Sequence, residues 1–482
     1  MECATVPRTR SRCRLKMTDS ASIGVNRQHM VIMESVRHGA GRGILWWFVM
    51  NPYPNDHVNR SCQGRTPVIV LVLVLLCGVL GIVTVPPGST PDVWAHVYRV
   101  DAMLNGDVIA RPVRAMSDYH PNAAHNTGGW VNDDVIAFSL ANDRHYVSGL
   151  VDAASITVND GHRSEVPFDN TAVYPPIAYL PQLSAFVVGR LLHLNVTWQF
   201  YLAEVFQLAV YLMAVWIGLR VLAGIPSSRW FRMLAGLLAV CLALPDSFMF
   251  SPDSTVVALS LPLTCMLIRC LQADRLEAGD CVLLIGLTGI LALSKFAYAP
   301  CLLMALMLII THRRMPMRSR LILVAGCVLS VMLLLTWLKF GTGFATNPSR
   351  VPYDEVLRRQ RELLAAPHRF LPRMFYSIVR LQGWSWWEPP LLFLFWMLAL
   401  AALMLTVIVW RRDRQRLLFW LMSWTTIMGC VTLVYVAIWT QFTLTGQAGV
   451  VGINSRYFLP LVPPLAMQCA DALHAIRENL AR

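Results

Sequence analysis

The chain has 482 residues, 56% hydrophobic and only 14% charged, with a mean hydropathy of +0.50, which is more apolar surface than one water-soluble core can bury and excludes an ordinary soluble globule. The net charge of +13 does not indicate nucleic acid. The basic residues gather in short clusters beside apolar runs, as at 312–320 and 411–416, where they act as an orientation signal.

Residues 1–66 carry ten Lys/Arg and little periodicity. They read as a disordered basic cytoplasmic tail, and the methionines at 17, 30, 33 and 50 leave a later start equally open. The run 67–85 has no charge over the roughly 17 to 25 residues that a helix needs to cross about 30 Å of hydrocarbon. With the tail inside, 86–198 becomes a large first extracytoplasmic loop, in which 86–174 holds eleven acids against five arginines. The stretch 177–194 contains Pro181 and Arg190, so it is expected to lie along the interface as an amphipathic helix.

Spans are then expected near 199–219, 233–250, 254–272, 280–294, 296–310, 319–338, 391–410, 417–438 and 457–475, about ten with the first. The stretch 280–310, broken only by Lys295, would be about 45 Å as one helix, so two short spans turning outside at Lys295 fit better. Residues 339–390 form a second large external loop, and 476–482 a cytoplasmic C-terminal tail. The expected fold class is all-α integral membrane, multi-pass in the cell membrane with a cytoplasmic N-terminus. Of the twelve cysteines none falls in 86–174 or 341–390, and no CxxC pair occurs. No disulfide framework and no cysteine zinc site follow from that pattern.

Every notable polar cluster falls on the external side of this threading. Asp92 and His96 stand four residues apart on an expected helix, hence on one face, where a carboxylate and an imidazole can share a proton or orient a hydroxyl; a solvated interfacial helix is the plainer reading. The run from Asn170 through Tyr174 to Tyr179 describes a rigid Pro and Tyr turn at headgroup level. Asp253 and Lys295 lie at external ends of spans, where an ionisable residue is a functional hypothesis and a snorkelling lysine the alternative. Arg456, opening the last span, has the forked donors that suit phosphate.

Taken in order, these segments resemble the bacterial membrane-protein family catalogued as domain of unknown function 2142. The carriers are Asp92, His96, Tyr98 and Arg99; the run from Asn170 and Thr171 to Tyr174, with Tyr179 to Gln182; Ser251 to Asp253; Lys295 to Tyr298; and Arg456 to Pro460. That family is in turn similar to the glycosyltransferase C superfamily, whose multi-span members take a sugar from a polyprenyl-phosphate carrier on the extracytoplasmic side. The resemblance implies an inverting transfer in cell-envelope polysaccharide or glycoconjugate assembly, with a lipid-linked sugar donor, a saccharide or glycoconjugate acceptor and membrane lipid as partners. It implies Asp92 and His96 as the catalytic pair. Arg99, Tyr98, Asn170, Tyr174, Tyr179, Asp253, Lys295, Tyr298, Trp384, Arg456 and Tyr457 would bind substrate. Where the family commonly shows two adjacent acids, Val93 follows Asp92, and Asn454-Ser455 precede Arg456 where Gln-Gly is common; no metal and no other cofactor is expected. A flippase of lipid-linked saccharides and an envelope-assembly protein with a degenerate site are the competing readings.

Overall fold

The computed structural model describes residues 65–116, 126–142, 161–223, 229–273, 276–312, 315–341, 351–383, 388–409 and 414–480. The first helix, α1 (Arg65–Thr84), is an unbroken apolar run whose side chains are largely exposed, as suits a helix solvated by lipid rather than by protein.

The following loop folds around α2 (Val93–Leu104), which is buried along nearly its whole length. Against it lie three antiparallel strands in the order β1 (Arg111–Pro112), β2 (Thr127–Asn132), β3 (Arg163–Pro167), with Gly128 opposite Pro167 and Asn132 opposite Arg163. The expectation of an all-α protein is corrected here: the molecule is mostly helical, with a small sheet in its first loop. The cause is local. Thr127-Gly128-Gly129 lets two backbones approach so closely that a Cβ at Gly128 would lie 1.8 Å from the Val166 carbonyl oxygen, a proximity only glycine allows. Helices α3 (Asp133–Asn142) and α4 (Asp169–Ala172) complete the loop. Trp94, Phe138 and Phe200 meet in its core at centroid distances of 5.6–6.0 Å, joining the loop to the membrane helix that carries Phe200.

A 3-10 turn at Pro176–Tyr179 leads into α5 (Leu180–Leu191). Its twelve residues reach only about 18 Å, too short to cross the hydrocarbon core. Arg190, anomalous within an apolar stretch, pairs at 2.6 Å with Asp101, which is buried in α2. The charge is therefore matched inside the protein.

The remaining helices are α6 (Val196–Ala223), α7 (Arg229–Ala243), α8 (Pro252–Gln272), α9 (Ala278–Ser294), α10 (Leu302–Thr311), α11 (Met317–Phe340), α12 (Tyr353–Ala365), α13 (Leu371–Val379), α14 (Glu388–Val409), α15 (Arg414–Gln441) and α16 (Val462–Leu480). Among the described residues six helices are long and apolar enough to cross a membrane: Pro67–Thr84, Val196–Ala223, Pro252–Gln272, Met317–Phe340, Glu388–Ile408 and Trp420–Gln441. These six coincide with six of the about ten expected spans, and the other expected segments are shorter or less apolar helices. The segment at 233–250 ends early because Pro245 and Asp246 form a 3-10 turn after Ala243. The break at Lys295 is present, but it leaves α9 at 17 residues and is followed by a 3-10 turn, Phe296–Cys301, before α10. The last segment opens as a 3-10 helix, Ser455–Leu461, and α16 is diluted by Gln468, Asp471, His474 and Arg477.

Helix α6 packs on α5 and α8, α9 on α11, and α16 on both α7 and α14. Helix α8 is the central member, with 83% of its most apolar window buried against 17% for α11. That centrality explains why the polar end of α8 anchors the cavity described next.

Candidate functional site

A cavity of about 80 Å³ opens where α2 and α8 begin and α9 and α15 end, lined among others by Asp92, His96, Tyr174, Asp253, Lys295 and Arg456. It is large enough for several waters or one phosphate group, whereas a sugar ring would have to sit at its mouth.

Asp253 is placed by helix capping. Ser251 is the N-cap of α8, its hydroxyl accepting from the Asp253 N–H at 3.1 Å, and Pro252 occupies the first turn. This fixes a carboxylate at the positive end of a long helix. The carboxylate is buried between two cations: Lys295 Nζ donates a short hydrogen bond to Oδ1, and Arg456 Nε lies 3.1 Å from Oδ2 as an ion pair. Lys295 is held at the extended C-cap of α9, with Nζ 4.1 Å from the centroid of the Tyr457 ring, a cation–π contact.

Arg456 is positioned by the start of the last helical segment. Asn454 caps it, accepting from the Arg456 N–H at 3.0 Å, and the next N–H back, that of Ser455, donates to Glu388 Oε2 at 2.7 Å. The Tyr298 hydroxyl donates to the Tyr457 carbonyl at 2.7 Å. The guanidinium also reaches Asp92 Oδ2 at 3.4 Å and the Pro91 carbonyl at 3.4 Å, so it bridges both carboxylates.

Asp92 differs from the rest of the cluster in exposure. Its side chain is 42% exposed, against 6% for Asp253, 9% for Arg456 and 10% for Lys295. It therefore sits at the mouth of the cavity. Rather than forming the first helical turn, it caps α2 in the left-handed conformation at φ 61°, a region costly for most side chains but tolerated by Asp. Asn170 Nδ2 donates to its Oδ1 at 3.0 Å. His96 lines the same cavity but turns to a different partner, its Nδ1 lying 2.7 Å from the Tyr179 hydroxyl. Burial, reinforced by Arg456, holds the imidazole down to about 3, so it stays neutral at physiological pH, and the Tyr179 phenol is pushed up by the same burial.

The cavity thus collects Asp92, His96, Asn170, Tyr174, Asp253, Lys295, Arg456 and Tyr457 from the expected set. Arg99, Tyr98, Tyr179 and Tyr298 do not line it. The Arg99 guanidinium, fully buried, donates to the carbonyls of Asp107 and Val108 at 3.1 and 2.8 Å, and burial lowers it to about 10; it braces the loop. Tyr98 bonds Ser139. Trp384, with Trp386 and Trp387, lies outside the described residues. Gln441 and Phe442 at the end of α15 also line the cavity, and only their place just beyond an apolar run could have signalled them. Glu388, an acid opening another such run, was likewise passed over, and its burial beneath Gly383 makes it a positioning group.

Counting formal charges, Asp92 and Asp253 balance Lys295 and Arg456 with His96 neutral. The arrangement can hold an anion beside two cations and present one accessible carboxylate at its rim. Among the described residues no three His, Cys, Asp or Glu side chains are grouped so as to hold a metal ion.

No curated protein and no solved structure matches this chain significantly. The family model described as predicted membrane protein (DUF2142) does match, over residues 75–465, a range that includes every ionic member of the cavity, and the chain accordingly belongs to that family of multi-pass membrane proteins.

Proposed function

We propose that the cavity is the site of a glycosyl transfer in which a polyprenyl-phosphate-linked sugar, delivered from the membrane on the extracytoplasmic face, is passed to a saccharide or glycoconjugate acceptor of the cell envelope. The observation that carries this reading is the pairing of one rim carboxylate, Asp92, with two buried cations, Lys295 and Arg456, in one cavity. An inverting transfer needs a base at the acceptor hydroxyl and positive charge where the phosphate departs. Asp92 is the exposed base, and Arg456, which already contacts Asp92, is the nearer phosphate ligand. Neutral His96, held by Tyr179, orients the acceptor without adding charge. Asp253 keeps both cations in place before substrate arrives.

In this reading Asp92→Asn leaves one acceptor oxygen, for either Asn170 or Arg456, where the carboxylate serves both, and it removes the base; general-base removal lowers transfer by about 10²- to 10⁴-fold. The measurement is transfer of sugar from a synthetic polyprenyl-phosphate donor by purified protein in lipid vesicles. Wild-type transfer that persists unchanged in Asp92→Asn would remove Asp92 from catalysis. Movement of the donor between leaflets without any transfer would favour the flippase.

A further inference from the structure

Helix α13 has its polarity reversed relative to a helix that faces water. Its serine and arginine side chains are bonded back to the protein. Ser377 is fully buried, its hydroxyl donating to the Arg373 carbonyl at 2.9 Å and accepting from the Val450 N–H at 2.5 Å. Arg373 donates to the Gln447 carbonyl at 3.3 Å, with its guanidinium 5.8 Å from the Trp439 ring centroid. Leu371, Phe375 and Val379, one every four residues, are exposed by 50%, 67% and 63%, with Pro372 and Tyr376 also exposed beside them.

A stripe of large apolar side chains on the outer face is unfavourable in water and favourable in lipid. Nine residues extend about 14 Å, so α13 cannot cross the membrane. Exposed cations bracket it, Arg369 ahead and Arg380 behind, which is the layout of a helix lying in the interface with its charged ends in the headgroups. The next helix in the chain, α14, also carries exposed apolar side chains, with Leu391, Phe393 and Leu394 exposed by 40%, 51% and 57%. Helix α13 thus precedes, in the chain, a helix long and apolar enough to cross a membrane.

We propose that α13 is an interfacial membrane anchor, with Leu371, Phe375 and Val379 inserted among phospholipid acyl chains and Arg369 and Arg380 at the level of the lipid phosphates. Through Ser377 and Arg373 it is tied to the backbone at 447–450, a few residues ahead of Asn454 and Arg456. Seating α13 in the interface therefore sets the depth of the ionic cavity close to that of the phosphates. The inference rests on the polarity of the helix and not on the reaction assigned to the cavity.

The test uses the full chain with the photoreactive p-benzoylphenylalanine placed at Phe375, or in a separate preparation at Gln360, an exposed position on the polar helix α12. Each is reconstituted in phosphatidylcholine nanodiscs, irradiated and weighed intact. Because Phe375 projects outward, the replacement leaves the packing undisturbed. The expected result is a one-phospholipid adduct at 375, at least tenfold more abundant than at 360. Equal yields at the two positions, or cross-linked pairs of chains in place of lipid adducts at 375, overturn the proposal. A lipid adduct from a protein without transferase activity supports the anchor while rejecting the proposed reaction, so the two fail separately.

Discussion

Replacing Asp253 by asparagine isolates the electrostatic core of the cavity. Asp253 Oδ2 lies 3.1 Å from Arg456 Nε and Oδ1 meets Lys295 Nζ, with all three side chains at most 10% exposed. At that separation a unit charge pair is worth about 5 kcal/mol at an effective dielectric of about 20. The measured cost of leaving a buried charge without its partner is about 3–5 kcal/mol. The two scales agree, so Asp253→Asn is expected to lose about 3–5 kcal/mol, because it leaves two buried cations facing a neutral amide. Adding Lys295→Met removes one of those cations and leaves Arg456 with Asp92 at 3.4 Å. The double variant should recover an interaction free energy of about 2 kcal/mol, within the range seen for residues in one network. Unfolding titrations of wild type, both single variants and the double variant in detergent micelles complete the cycle. Asp253→Asn within about 0.5 kcal/mol of wild type, the usual size of a surface effect, or single-variant costs that add in the double variant to within about 0.5 kcal/mol, would refute the reasoning.

Two further predictions concern the first loop. Burial pushes the Asp169 carboxyl from 3.8 up to about 8, although Oδ1 accepts from the Thr127 N–H at 2.7 Å. The stability of the neutral form is complete below the unfolded value and declines by about 1.4 kcal/mol per pH unit as pH rises toward the folded value. Asp169→Asn keeps the acceptor without titrating, so it should be more stable than wild type at pH 7.5 and show a flatter stability profile between pH 4 and 8; parallel profiles would refute this. At Gly128 any Cβ meets the Val166 carbonyl at 1.8 Å, so Gly128→Ala should separate β2 from β3 at a cost of at least about 1–3 kcal/mol. Limited proteolysis at 161–167 reads the separation, and unchanged protection contradicts the strand register.

Much of the scaffold was legible because lipid imposes one simple demand, a long apolar run with few charges, and α1, α6, α8, α11, α14 and α15 meet it. The shorter or less apolar segments have local causes that hydropathy smooths over: Pro245-Asp246 turns the chain, and in α16 Gln468 and Asp471 bond Ser423 and Arg232 of neighbouring helices. Lys295 was legible as a break, but its partner Asp253 lies 42 residues away, and no spacing rule connects them. Arg99 illustrates the opposite error. A helical arginine beside a polar cluster reads as a ligand, yet its forked donors close backbone carbonyls of the loop that follows it. Arg190 read as an obstacle to burial because Asp101, its partner across the fold, is silent in sequence. The sheet was invisible because two of its strands lie in glycine-rich or charged segments that carry no clear alternation.

The left-handed backbone at Asp92 decides which substitutions can interrogate this site. Alanine there would add about 1–2 kcal/mol of steric opposition to the turn itself, loosening the start of α2 and the Arg456 contact together, so lost activity would mix a moved backbone with a missing charge. Asparagine, which tolerates the same dihedrals, removes the charge and leaves one acceptor oxygen in place of two. Glycine relaxes the turn while deleting the carboxylate, and comparing those two replacements separates the geometry of the rim from its chemistry.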